Sequence, residues 1–216
     1  MKPYYDHAGI TIYHGDCREI LPGVAADVMV TDPPYGIAYR SSHPGTLPRS
    51  IVGDEDTSLR DEVLEHWGSE PALVFGTWRI PRPAGCRMLL VWDTLGALGM
   101  GDLSLPWKPA HQEIYVIGSG FSGARDSDVI RCAPVQSRAS VGRVHPHEKP
   151  VKLLVGLLRK CPDGDVLDPF VGSGTTLVAA KALGRRAIGI EIEERYCETA
   201  AKRLSQEVLN FAGGQQ

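Results

Sequence analysis

The sequence predicts an α/β fold, a doubly wound and mostly parallel sheet with helices on both faces. Three observations carry that expectation. Residues 165–192 read as strand, glycine turn, helix and strand, the βαβ unit that forces a parallel pairing. A second apolar run, Ala26 to Thr31, ends at a Pro-Pro turn, as a buried strand does when its ladder must stop. Further short apolar runs alternate with helical patterns across the 216 residues, a length suited to one domain with one well-covered core.

Taken in order, residues 9–16 (Gly-Ile-Thr-Ile-Tyr-His-Gly-Asp) read as a strand closing at Gly15-Asp16, and 26–31 as the next. Residues 37–53 are rich in Ser, Pro and Gly without periodicity and are expected to form a mobile loop. A helix is expected over 57–67, a short apolar segment over 73–76, a buried strand over Met88–Trp92 and another strand over Glu113–Ile117. Residues 118–144 carry Gly, Ser and Arg with little apolar pattern. Pro150 suits a first helical turn, and Val151, Leu154, Val155, Leu157 and Leu158 give one apolar face ending before Pro162. A strand over 165–168, a helix from Thr175 or Thr176 to Leu183, a strand over 187–192 and a helix from 193 to about 209 complete the pattern, with a frayed Gly-Gly-Gln-Gln tail.

Bulk properties exclude several classes. Hydrophobic content of 43% and charged content of 23% suit a soluble domain, and a net charge of −3 argues against coating nucleic acid by bulk charge. No apolar run nears the roughly 20 residues that span a bilayer, and no signal-peptide pattern opens the chain. Cys17, Cys86, Cys132, Cys161 and Cys197 are odd in number and form no CxxC pair, which argues against a metal site or disulfide framework and for a reducing cytoplasm. Charge is uneven: residues 51–75 are acidic, whereas 121–152 carry Arg125, Arg131, Arg138, Arg143, Lys149 and Lys152 with His145 and His147. Such a stretch is a solvated surface or a phosphate-contacting face.

The turn Asp168-Pro169-Phe170-Val171-Gly172-Ser173-Gly174-Thr175-Thr176 suits a nucleotide cradle. Gly172 and Gly174 present no Cβ, so a ligand can approach the backbone closely. Glu191 ends the following strand 19 residues after Gly172, near the offset at which an acid grips ribose hydroxyls. Leu177 at the third glycine position spoils the dinucleotide fingerprint, and no Gly-Lys-Ser/Thr follows the turn to make a P-loop. S-adenosylmethionine fits better: it has ribose and adenine without a pyrophosphate, and an ammonium that Asp168 can accept.

Asp32-Pro33-Pro34-Tyr35, after the second strand, suits a planar exocyclic amine. The lone pair of such an amine is delocalised into its ring until two acceptors draw on its N–H bonds. The Asp32 carboxylate and the Pro33 carbonyl are the expected acceptors, and Tyr35 offers a stacking face. A base in a duplex reaches such a pocket only when flipped out. No Pro-Cys pair is present for methylation at cytosine C5, and the cysteines read as packing residues.

With the catalytic tetrapeptide first and the cradle last, these strings resemble the β arrangement of amino-methylating DNA methyltransferases, a circularly permuted Rossmann-like domain. The resemblance implies S-adenosylmethionine as cofactor, duplex DNA as substrate and one methyltransferase domain over 1–216. By it, Phe170 lines the adenosyl site, Glu191 binds ribose, and Asp16 with Cys17 matches the adenine-contacting segment. Lys149 and Pro150 close a His145-Pro146-x-x-Lys149-Pro150 string beside the methionine moiety, and Gly172, Gly174 and Thr175 belong to the cradle string. The target-recognition region then falls in about 118–144, after a segment resembling Trp107-Lys108-Pro109…Glu113, and is short. Arg125, Arg131, Arg138 and Arg143 are its candidate DNA contacts. Asp-Pro-Pro-Tyr leans towards adenine N6, with cytosine N4 open and a catalytically silent binding module as the alternative class. A homodimer and a restriction endonuclease are the protein partners the resemblance leaves open.

Overall fold

The computed structural model describes residues 2–37, 52–97, 101–135 and 148–211. The expected mobile loop lies almost entirely outside the described residues, as do the Gly-Gly-Gln-Gln tail and the stretch holding Arg138, Arg143, His145 and His147.

Strand β1 (Tyr5–His7) turns back through Ala8-Gly9 into β2 (Ile10–His14), whose Ile10 and Ile12 point into the core. The short helix α1 (Cys17–Ile20) is capped by Asp16, whose carboxylate accepts from the Arg18 N–H at 2.9 Å. All residues of β3 (Val28–Thr31) are buried, as expected of a parallel strand with neighbours on both sides. Helix α2 (Ser58–Trp67) leads to the fully buried β4 (Ala72–Gly76). Strands β5 (Cys86–Asp93), β6 (His111–Ile117) and β7 (Val129–Arg131) follow. Then come α3 (Val151–Leu158), β8 (Val166–Asp168), α4 (Thr175–Ala182), β9 (Ala187–Glu191) and α5 (Glu194–Phe211).

Among the described residues, nine strands form one sheet in the order β1-β2-β9-β8-β3-β4-β6-β5-β7. It is mixed but mostly parallel: β2/β9, β9/β8, β8/β3, β3/β4 and β5/β7 run parallel, while β1/β2, β4/β6 and β6/β5 run antiparallel. Side chains alternate between two apolar clusters. Val28, Val30 and Val166 face α3, α4 and α5, while Met29, Val74 and Leu167 face α1 and α2. The doubly wound fold with helices on both faces is therefore the one observed.

Two local expectations are corrected, and three short elements are added. The strand over Met88–Trp92 exists, but only Trp92 is buried and Met88 is about half exposed, because only the three residues of β7 lie beyond β5 in the sheet. Pro150 is the N-cap of α3, with ψ 130° keeping it extended, and not a residue of the first turn. The strands β1 and β7 and helix α1, each of three or four residues, carry no pattern that the sequence alone reveals.

The topology fixes the site. From β3 the chain winds outward through α2 to β4, and from β8 it winds the opposite way through α4 to β9. The carboxyl ends of β3 and β8 therefore flank a switch point, where ligands of open α/β sheets bind. Asp32 follows one end and Asp168 is the other.

Candidate active site

The tetrapeptide leaves β3 directly above this crevice. Asp32 Oδ1 accepts a hydrogen bond from the Tyr35 hydroxyl at 2.6 Å, and Oδ2 accepts from Lys149 Nζ. Lys149 is buried, with its ammonium 5.0 Å from the centre of the Phe75 ring and 5.8 Å from that of Tyr35. The cation thus balances the half-buried carboxylate while two aromatic faces replace its water. Burial of the Tyr35 hydroxyl and the neighbouring Asp32 charge hold that phenol well above its ordinary pKa, so it acts as a neutral donor. Beyond the tetrapeptide, Gly36 N–H donates to Asp54 Oδ1 at 2.8 Å. Gly36 sits at φ +69°, where an added Cβ would lie 2.4 Å from the Asp56 carbonyl carbon. This turn closes tightly only with glycine.

The cradle lies on the other side of the same crevice. Asp168 is buried; its Oδ1 accepts from the Thr31 hydroxyl at 2.7 Å and from Phe170 N–H at 3.1 Å. Burial, only partly offset by these bonds and a further one from Thr176, leaves its pKa pushed up to about 6. Glu191 receives Gly172 N–H on Oε2 at 2.8 Å and Glu193 N–H on Oε1 at 2.9 Å. The carboxylate thereby ties the glycine turn to the end of β9; among the described residues each oxygen receives one such donor, leaving a second lone pair for a ligand. Burial raises its pKa, against these two bonds.

A cavity of about 700 Å³ joins the two halves. Among the predicted catalytic and cofactor residues, Asp16, Cys17, Asp32, Pro33, Pro34, Tyr35, Lys149, Asp168, Phe170, Gly172, Thr175 and Glu191 line it. Pro150 and Gly174 do not. Gly174 serves packing instead: at φ +82°, a Cβ there would lie 2.7 Å from that of Ala200 in α5. Cys17 is buried and its thiol is pushed up to about 11, chiefly by burial, so it fills space and offers no thiolate. The resemblance places Lys149 beside the methionine end of a cofactor; the structure gives it Asp32 as its partner. Asp16 carries an ion pair with Arg18 at 2.6 Å and keeps a carboxylate edge at the cavity wall.

Sequence reasoning missed three groups that hold the site. Thr31, the polar end of an apolar strand, orients Asp168. Phe75 lies beneath the Lys149 ammonium. Arg203 of α5 pairs with Glu148 at 2.8 Å and donates to the Ser173 carbonyl at 2.7 Å, clasping the cradle to the segment that carries Lys149. The polar ending of β3 was the one local signal; the other two arise only on folding. Of the arginines proposed to meet DNA, Arg125 and Arg131 are exposed, and Arg131 lies 3.5 Å from Asp93. Arg138 and Arg143 fall outside the described residues.

A permuted doubly wound sheet, with a carboxylate after β3 and a glycine cradle after β8 opening into one cavity, is the architecture of an amino-methylating transferase. The sequence model of the DNA methylase family matches residues 91–202, and the chain belongs to that family, whose members use S-adenosylmethionine. It is a DNA methyltransferase of the N6/N4 amino-methylase class. The type II methyltransferase M2.LlaDCHI of Lactococcus lactis subsp. cremoris is 50% identical over 253 aligned residues, covering 95% of this chain and 93% of that protein. Among solved structures, the PvuII DNA methyltransferase (cytosine-N4-specific) superposes with a TM-score of 0.68 at 17% identity, covering 94% of this chain and 88% of that one. The M1.HpyAVI–SAM complex superposes with a TM-score of 0.63 at 22% identity, covering 90% and 98%. Both show that the fold is shared.

Proposed function

We propose that this chain transfers the methyl group of S-adenosylmethionine to the N6 amine of an adenine flipped out of duplex DNA. One observation carries the reading: the Asp32 carboxylate and the Asp168–Glu191 cradle open into the same cavity, although they lie at opposite ends of the sequence. The residues present fit the cofactor. Asp168 would hold the ammonium, Glu191 the ribose hydroxyls through its free lone pairs, and Phe170 the adenosyl group. When bound, the cofactor supplies a methyl group on a sulfonium, an electrophile that needs no metal.

The chain's own residues then shape the nucleophile. Asp32 would accept one N–H of the target amine alongside its bonds to Tyr35 and Lys149, and the Pro33 carbonyl the other, drawing the nitrogen towards tetrahedral geometry. Tyr35 stacks on the base, an interaction worth roughly 1–3 kcal/mol. Fixed placement of both reactants supplies much of the acceleration. Lys149 holds Asp32 in place in the cavity wall; with the cofactor bound, the amine lone pair would form the C–N bond as the methyl–sulfur bond breaks with its electron pair on sulfur, and the extra proton would then leave to water. Cytosine N4 presents the same two N–H donors and is the second reading; the Asp-Pro-Pro-Tyr string favours adenine. M2.LlaDCHI is named a type II methyltransferase, which suits a restriction–modification setting with an endonuclease partner, and a homodimer is compatible with this chain.

Incubation with labelled S-adenosylmethionine and unmethylated DNA, followed by nucleoside mass spectrometry, is expected to yield N6-methyladenine; N4-methylcytosine in its place overturns the adenine assignment. The Asp32→Ala variant is expected to bind the cofactor as the wild type does and to lose methyl transfer by at least about a hundredfold. Turnover like that of the wild type would remove Asp32 from the mechanism.

A further inference from the structure

Among the described residues, five large apolar side chains stand exposed on two loops at the same end of the sheet as Asp32. Trp78 is 65% exposed, Leu103 and Trp107 are each 78% exposed, and Leu95 and Leu105 are more than half exposed. Strand register places both loops. Gly76, the last residue of β4, pairs with Glu113, and Asp93, the last of β5, pairs with His111. The chain therefore leaves β4 and β5 at the same end of the sheet as Asp32, which follows β3 beside β4.

The longer loop is built to display these groups. Thr94 closes its base, donating from both N–H and hydroxyl to the Ala110 carbonyl at 2.9 and 2.8 Å. Gly101 lies against Pro109, where a Cβ would meet Cδ at 2.5 Å. The Asp102 carboxylate accepts from the N–H and hydroxyl of Ser104 at 2.9 and 2.6 Å, making the turn that directs Leu103 and Leu105 outward. Exposed apolar groups held by such a scaffold mark a binding surface.

Trp78 has a cation against its ring, and Trp107 is followed in the sequence by a basic residue. The Arg79 guanidinium lies 5.6 Å from the centre of the Trp78 ring, and Lys108 follows Trp107. Aromatic faces beside cations are the pattern of a surface for nucleic acid bases, since every base has a π-face and every nucleotide a phosphate. A second copy of this chain would bring like charges together at the same patch.

We propose that Trp78 and Trp107, with Arg79 and Lys108, form the surface on which DNA bases stack beside the extruded target. The proposal rests on the reading of this chain as acting on a flipped base, and it moves part of the DNA contact away from the arginines of 118–144. The test measures binding of a fluorescein-labelled duplex of mixed sequence by anisotropy, with S-adenosylmethionine affinity measured in parallel. Trp107→Ala and Trp78→Ala are each expected to weaken duplex binding by about tenfold. Cofactor affinity should stay unchanged, which shows that the fold is intact, and Trp107→Phe should retain most of the binding. Duplex affinity equal to that of the wild type in both alanine variants overturns the proposal. So does loss of self-association in sedimentation with duplex binding intact, which assigns the patch to a second copy. A wild-type chain that neither binds nor methylates DNA overturns the flipped-base reading itself, and is thus distinguishable from failure of the tryptophan surface alone.

Discussion

Asp168 is a carboxylate whose charge the fold disfavours. It is buried, and desolvation outweighs the hydrogen bonds from Thr31, Thr176 and Phe170, so its pKa rises from 3.8 to about 6. Between those values the folded state keeps a proton that the unfolded chain has shed. Stability contributed by this group is therefore greatest at low pH and falls as pH rises from about 4 to 6. A rise of that size corresponds to about 3 kcal/mol. Binding a cofactor ammonium reverses the preference, because the ionised form is then the one with a partner. Two outcomes are expected. Urea unfolding of Asp168→Asn should lose less stability than the wild type between pH 4 and 7, and cofactor affinity of the wild type, measured calorimetrically, should rise by about tenfold from pH 5 to 7. A variant with the pH profile and cofactor affinity of the wild type would show that Asp168 neither titrates here nor meets the ammonium.

Helix α5 lines the cavity with Arg195 and Tyr196 and also braces the cradle. Its Ala200 packs on Gly174, and its Arg203 bridges Glu148, Ser173 and Thr175, so one helix fixes both the cradle turn and the start of α3. Both partners of the Arg203–Glu148 pair are less than one-fifth exposed, so removing one leaves a poorly hydrated charge behind. Arg203→Met is expected to destabilise the protein by on the order of 2 kcal/mol, read from the urea midpoint. The KM for cofactor should rise more than kcat falls, and Arg203→Lys should rescue only part of both, since an ammonium lacks the fork that meets several acceptors together. An unchanged KM beside a lowered urea midpoint would confine Arg203 to a stabilising role. Elements of this kind differ in how well the sequence announces them. Strands β3 and β9 and helices α3 and α4 stand out because apolar period, glycine and proline agree over several residues. β1, β7 and α1 are too short to show a period, and they exist because neighbouring strands and the Asp16 cap support them. The exposure of β5 is not legible in an apolar run such as Met-Leu-Leu-Val-Trp, since burial depends on what lies beyond the strand.

At the scale of the molecule, the site is a product of topology. The strings at Asp32, Asp168 and Glu191 are legible one by one because each needs a particular local chemistry. Their pairings are not, since Lys149 with Asp32 and Thr31 with Asp168 depend on β3 and β8 becoming neighbours from opposite ends of the chain. A cavity assembled this way should respond to its ligand as one unit. A ligand present at a hundred times its Kd stabilises the folded state by about 2.7 kcal/mol, and all segments that build the site should share in it. Amide hydrogen exchange with and without S-adenosylmethionine is expected to slow together at 14–18, at 168–176 and at 191–193. Strands β5 and β7, at the far side of the sheet and with no residue lining the cavity, should change only as far as global unfolding limits their exchange. Protection confined to 168–176 would mean that the cofactor sits on an isolated glycine turn, and that bringing the N-terminal carboxylates alongside it plays no part in binding.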